Sequence, residues 1–262
     1  VEADGAWALY EAWVKLQIGE IDSALIYSYG KSSPGDLPKV LTTQLEPYSV
    51  APLWPDAVSI AGLQARALLD SGKATEADLA EVAVRNRANA KSNPKAQLAG
   101  DYTVEEILAE PYLANPLRKH DCPPITDGAA AVILAAGDLA RELSDRPAWI
   151  RGLDHRIEAH ALGVRDLTVS TSTKLAGEKA GVHDGKVDFA ELHAPFTHQE
   201  LILADALGLG DDVAVNPSGG PLAANPIMAA GLIRLGEAAE RITRGEGDRA
   251  VAHATSGPCL QQ

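Results

Sequence analysis

Thiols, positive charge and long apolar runs are all scarce in this chain, and each scarcity excludes a class of function. Only two cysteines occur among 262 residues, Cys122 and Cys259. They stand far apart, which rules out a disulfide framework and shows no metal-site spacing. Lysine and arginine number 23 against 36 aspartates and glutamates, a formal net charge of -13. A non-specific nucleic-acid surface needs a basic face, so nucleic-acid partners fall away. A small anion remains possible, because a helix N-terminus supplies local positive potential. No apolar run is long enough to cross a bilayer, and no segment has the pattern of a signal peptide. The expectation is therefore a soluble, cytoplasmic protein with no membrane partner.

What the chain does have is a glycine–proline loop, Asn216-Pro217-Ser218-Gly219-Gly220-Pro221-Leu222-Ala223-Ala224-Asn225-Pro226, running into a helix rich in alanine and glycine. Gly219 and Gly220 remove side chains where a backbone turns sharply or approaches a ligand, and the prolines stiffen both flanks. Two readings stand: a tight turn, or a loop that offers backbone N–H groups to a charged or carbonyl-bearing ligand.

The rest of the chain alternates between helical and strand patterns. Helix is expected over residues 5–18, a short buried strand over 24–30, and an irregular, proline-rich excursion over 31–55. Helices follow at 57–69 and from Thr75, where Glu76 and Asp78 occupy the first turn. Residues 84–116 turn polar and read as an inserted lobe. A fully buried strand is expected over 127–135 and a short helix around Leu139 and Ala140. From Trp149 the pattern repeats: strands at 150–153, 187–192 and 250–254, with helices at 171–180, 199–207 and 227–244. This divides the chain into a first α/β half (1–30 with 117–148), a loop domain (31–116) and a second half (149–262). Apolar pattern begins almost at once and a strand-end loop closes the sequence, so both ends are expected to continue.

Three segments together resemble the thiolase superfamily, in its sterol-carrier-protein type. Glu191-Leu192-His193-Ala194-Pro195-Phe196 resembles that type's His-Asp-Cys-Phe loop, and 216–231 its Asn-Pro-x-Gly-Gly…Gly-His-Pro loop. Cys122-Pro123-Pro124-Ile125-Thr126-Asp127-Gly128-Ala129-Ala130-Ala131 resembles the Asp-Gly-Ala-Ala strand entry, and the lobe with Asn86, Asn89, Asn93 and Pro94 resembles the loop domain. The resemblance implies an α/β fold, an αβαβα layered sandwich of two similar halves with an inserted loop domain. It also implies a homodimer and an acyl-coenzyme A thioester as substrate, with no separate cofactor and no metal. An opening segment and a final strand would be absent from the sequence.

The departures from the family pattern are chemical. Glu2 falls in the slot of the nucleophilic cysteine, Pro195 replaces the loop cysteine, and Asn225 replaces the histidine of Gly-His-Pro. A carboxylate near a helix N-terminus forms no acyl-thioester; Glu2 is either a general base in a dry pocket or an inert charge. Asn225 donates a hydrogen bond but takes no proton. His193 is kept, to orient a water or donate to a thioester carbonyl, unless it is only a structural histidine. Cys259 is the one thiol near the expected pocket, either a displaced nucleophile or an inert buried residue. Ser218, Gly219, Gly220 and Phe196 would bind the substrate.

The remaining candidates are expected to be structural. Cys122 belongs to a proline-bounded turn, His198 to the first turn or cap of a helix, and His253 to the core or an interface. Trp7, Tyr10 and Trp13 belong to the core or a dimer interface. Arg85, Arg87, Lys91 and Lys95 either meet coenzyme A phosphates or form a solvated face. With neither transferred cysteine present, the resemblance points to retro-aldol cleavage beside a thioester, with a small OB-fold acyl-CoA-associated protein as partner. The alternatives are an acetyl-CoA acyltransferase using another cysteine, and a non-catalytic thioester-binding scaffold.

Overall fold

A small-residue stripe on one helix lets two sheets close on it from opposite sides, and a computed structural model of residues 3–261 shows how. In chain order the elements are α1 (Asp4–Gln17), β1 (Ser23–Lys31), α2 (Leu37–Thr43), α3 (Ala57–Asp70), α4 (Glu76–Asn89) and α5 (Val104–Leu108). Then come β2 (Tyr112–Ala114), β3 (Leu117–Arg118), β4 (Asp127–Ala135), α6 (Gly137–Leu143), α7 (Thr171–Lys179) and β5 (Phe189–Leu192). The chain finishes with α8 (Thr197–Ala206), β6 (Ala214–Val215), α9 (Gly220–Ala223), α10 (Ile227–Arg244) and β7 (Ala250–His253). Helix α10 buries Ala229, Ala230, Gly231 and Leu232 and contacts α1, β1, β4, β5 and β7.

Strands β1 and β4 form an antiparallel ladder running from the Ser23–Ala135 pair to the Lys31–Asp127 pair. Strand β5 lies between β6 and β7, parallel to both. Helices α1 and α10 fill the space between the two sheets, with Leu9, Ala12, Ile26 and Leu232 at the centre of that core. The other face of the parallel sheet is covered by α3 and α8, whose Ala65, Leu68, Ile202 and Leu203 pack with Ala190 and Leu192. The layers therefore run α, β, α, β, an α/β arrangement. No helix among the described residues is long and apolar enough to cross a membrane.

Strands β1 and β4 were expected to be buried throughout, yet both alternate. Helices cover only one face of their ladder, so Leu25, Tyr27, Tyr29 and Ile133 on the other are 66–70% exposed. Residues 150–153 were expected to form a strand and do not. They lie against the C-terminal end of α7, where a Cβ on Gly152 would clash with the Ala180 carbonyl oxygen. Between this segment and β7 is a cavity of about 640 Å³, so β7 pairs along one edge only among the described residues. The polar lobe is docked rather than free, because α4 packs on α8 and α9. Helix α4 starts where the sequence indicates: Thr75 and Asp78 form a reciprocal capping box.

Leu232, fully buried, is the test of the central helix layer. Leu232→Ala is expected to lower the unfolding free energy by about 2–5 kcal/mol without changing the denaturant slope. Urea titration measures both.

Candidate functional site

His193 follows directly on β5, and its backbone N–H donates to the His253 carbonyl at 3.2 Å, extending the ladder with β7 by one residue. Its imidazole is buried. Nδ1 accepts the Thr255 backbone N–H at 3.4 Å, which leaves the ring proton on Nε2, 3.2 Å from Asn225 Oδ1. Burial, and then the nearby Arg234 charge, push the His193 pKa down to about 4. At neutral pH the ring is thus uncharged and donates from Nε2. Asn225 is also buried, and its backbone N–H donates to Thr126 Oγ1 at 2.9 Å. The structure brings these two sequence candidates together.

The glycine loop is held by buried polar groups. Glu191, inside β5 and fully buried, accepts the Ser218 backbone N–H at 2.9 Å and the Ser218 hydroxyl at 2.7 Å. Arg234 Nη1 donates to Glu191 Oε2 and to Ser218 Oγ, each at 2.6 Å. Asn216, at φ 48, donates its N–H to Ala190 O and accepts the Leu192 N–H through Oδ1, both at 2.7 Å. Buried Glu200 accepts from Asn216 Nδ2 at 2.5 Å and Asn86 Nδ2 at 2.7 Å, and it pairs with Arg85. From the lobe, Asn89 Nδ2 donates to the Asn216 carbonyl and Asn93 Nδ2 to the Ser218 carbonyl, each at 3.0 Å. Arg87 donates to the Leu222 carbonyl.

Of the two readings of the glycine pair, the tight turn is the one observed. Gly219 at φ 91 gives its N–H to Asn216 O at 2.9 Å, and Gly220 at φ 60 gives its own to Ser218 Oγ at 3.3 Å. A Cβ on Gly219 would stand 2.6 Å from Ala90 Cβ, so this glycine is required by the lobe packed against it. Ser218, Gly219 and Gly220 are all buried and engaged within the loop.

Cys259 does not join His193. Its Sγ lies 3.7 Å from the Ile60 carbonyl on α3, and burial pushes its pKa up to about 12. Cys122 is likewise buried and pushed up to about 12. Phe196 is partly buried against the outer core. Glu2 lies outside the described residues. His198 stands in the first turn of α8 as expected but is fully buried and not at the surface: Nε2 meets Gln64 Oε1 at 3.2 Å, and its pKa falls to about 3. His253 is partly buried, with Nε2 3.3 Å from Thr173 Oγ1 and its pKa lowered to about 3, chiefly by loss of hydration. Trp7 and Tyr10 line the 640 Å³ cavity, as does His253, whereas His193 and Asn225 do not.

The lobe's basic residues are engaged within the protein. Arg85 pairs with Glu200, Lys91 with Asp101, and Lys95 with Glu237 and Glu240, while Arg87 is buried. Sequence reasoning missed Glu191, Arg234 and Thr126. A charge inside the short strand Phe189-Ala190-Glu191-Leu192, and another among the apolar residues of α10, were the available signals.

No family model matches the sequence. The chain is 32% identical to an acetyl-CoA acetyltransferase of Methanothermobacter thermautotrophicus over 223 residues, 76% of this chain and 58% of that one. It is 26% identical to sterol carrier protein 2 of Gallus gallus over 276 residues, 90% of this chain and 50% of that one. Among solved structures, an Ltp2-ChsH2(DUF35) aldolase superposes on all of this chain and 76% of its own, with a TM-score of 0.79 at 19% identity. The chain spans about half the length of the curated relatives it matches.

Two outcomes follow from the buried groups. Both thiols should resist iodoacetamide near neutral pH and react once the chain unfolds, since only the thiolate alkylates readily; mass spectrometry counts the adducts. His193, His198 and His253 have folded pKa values below the ordinary 6.5. The unfolded chain therefore binds protons there that the folded chain does not, and stability falls as pH drops from about 6.5 towards 4. Urea midpoints at about pH 7 and pH 5 should differ in that direction, and His193→Gln should reduce the difference.

Proposed function

This chain belongs to the thiolase superfamily, in its sterol-carrier-protein type, and on that premise we propose that it cleaves a carbon–carbon bond beside the thioester of an acyl-coenzyme A by a retro-aldol route. The observation that carries the proposal is the contrast between its thiols and its donors. Cys122 and Cys259 are buried and held protonated, whereas His193 and Asn225 form a neutral pair rich in N–H groups. Acyl transfer through a cysteine needs a thiolate. Retro-aldol cleavage needs only a base for the β-hydroxyl proton and donors for the thioester oxygen.

In that reaction the β-hydroxyl loses its proton and becomes a carbonyl as the Cα–Cβ bond breaks. The bond's electron pair moves onto the thioester as an enolate, which is then protonated at Cα. The Asn225 amide and the His193 Nε2–H would stabilise the enolate oxygen, as preorganised donors do where charge develops. His193 acts as donor and not as base, since its Nδ1 accepts a backbone N–H and its Nε2 carries the proton. Glu2, which the family resemblance puts in the slot of the nucleophile, would serve as the base. A lipid or sterol side-chain thioester, a homodimer, a small OB-fold partner and a cytoplasmic setting belong to the same proposal; the aldolase named as a two-component assembly supports the partner.

One observation favours a second reading, a thioester-binding or scaffold subunit. The Gly219 and Gly220 amides bond within the loop, and the His193 Nε2–H is directed to Asn225 Oδ1.

Incubating the protein with β-hydroxyacyl- and β-ketoacyl-coenzyme A, with products analysed by mass spectrometry, separates these readings. Ketone or aldehyde release from the hydroxy-thioester is expected. His193→Gln should lower kcat/KM by about 10²–10³-fold, the scale for losing one such donor, and Cys259→Ala should leave it within about twofold. Acetyl-coenzyme A formed only from the keto-thioester plus free coenzyme A would instead establish a thiolase. Retained binding without turnover would establish the scaffold.

A further inference from the structure

Gly30 and Gly128 face each other across the β1–β4 ladder, and neither adopts a positive φ. Their lack of a side chain is thus a matter of space, and Pro226 occupies that space. A Cβ on Gly128 would lie 2.8 Å from Pro226 Cγ and 3.2 Å from its Cβ. A Cβ on Gly30 would lie 2.8 Å from the Pro226 carbonyl carbon, 3.0 Å from its oxygen and 3.1 Å from the Ile227 nitrogen. One glycine admits the proline ring and the other admits its backbone.

Neighbouring contacts fix the same junction. Ser28 Oγ, one position along the inward face of β1, donates to the Met228 carbonyl at 2.8 Å. Thr126, just before β4, accepts the Asn225 N–H. Pro226 thereby enters α10 from a seat in the ladder, and the residue immediately before it presents its amide to His193.

We propose that Gly30 and Gly128 are positioning residues: together they form a notch in the β1–β4 ladder that seats Pro226 and so sets the Asn225 amide against His193. The catalytic consequence rests on the retro-aldol reading, whereas the positioning itself does not. A displacement of about 1 Å at a reacting group costs roughly 10²-fold in rate, so a methyl group placed far from the substrate would be felt at the donor pair.

The test is a rescue pattern. Gly128→Ala should disturb the His193 Nε2–H resonance in long-range proton–nitrogen spectra of the histidine rings, with the resonance assigned by its loss in His193→Gln. Adding Pro226→Ala removes the ring atom that meets the new methyl group and should restore the resonance. The same second change should not restore it in Gly30→Ala, whose methyl group meets backbone. In turnover, Gly128→Ala should lower kcat by about 10- to 100-fold with KM little changed. If Gly128→Ala folds only together with Pro226→Ala, the notch is supported. Thr126→Val, which removes the acceptor for the Asn225 N–H, should disturb the same resonance and gives a reading if the glycine variants do not fold. An unchanged resonance in Gly128→Ala, or equal rescue of both glycine variants, would overturn the proposal. Absence of turnover and thioester binding in the unmodified protein would defeat the retro-aldol reading alone, since the ring spectra still decide the notch.

Discussion

A carboxylate with no access to water must be answered by the protein around it, and Glu191 is answered from two directions at once. Arg234 reaches it from α10, and Ser218 from the glycine loop, with both hydroxyl and backbone. Removing either charge would leave the other buried and uncompensated, which typically costs about 3–5 kcal/mol. The ion pair therefore holds strand, loop and helix in one arrangement. That arrangement sets where the loop leaves β6 and where α10 begins. Between those points lies Asn225, so the donor pair inherits its geometry from a charge pair that does no chemistry itself.

A second layer of support comes from the lobe. Residues 87–98 reach the glycine loop through two asparagines, one arginine and two backbone amides on the Ala223 carbonyl, and Asn86 joins them through Glu200. Asparagine suits this work because its amide donates without bringing a charge into a buried place. Thus the polar composition of residues 84–93, so unlike a core helix, reflects contact with another backbone more than contact with solvent.

Much of the fold was legible in the sequence because period and punctuation agreed. Helix α10 spans Ile227–Arg244 as its spacing indicates, and β4 begins and ends at Asp127 and Ala135 as expected. Burial was harder. Leu25, Tyr27, Tyr29 and Ile133 are as apolar as the residues alternating with them, so composition alone could not show that one face is open. Residues 150–153 read as a strand because strand propensity is local, whereas pairing needs a partner within reach. At the candidate site, the family pattern singled out His193 and Asn225, and the structure sets them 3.2 Å apart. Gly30 and Gly128 were not, because their significance is a distance to Pro226 across the fold.

The pairing of the lobe's cations changes how an anionic molecule would meet this protein. With Arg85, Lys91 and Lys95 already matched to carboxylates and the chain carrying a formal net charge of -13, the long-range field repels a polyphosphate rather than drawing it in. A nucleotide-bearing thioester would meet that field as a repulsion, which dissolved salt would lessen by screening, whereas binding at a basic entrance is weakened by the same ions. Any polyanion that such a molecule bound would be held by fit after arrival and not by attraction from afar.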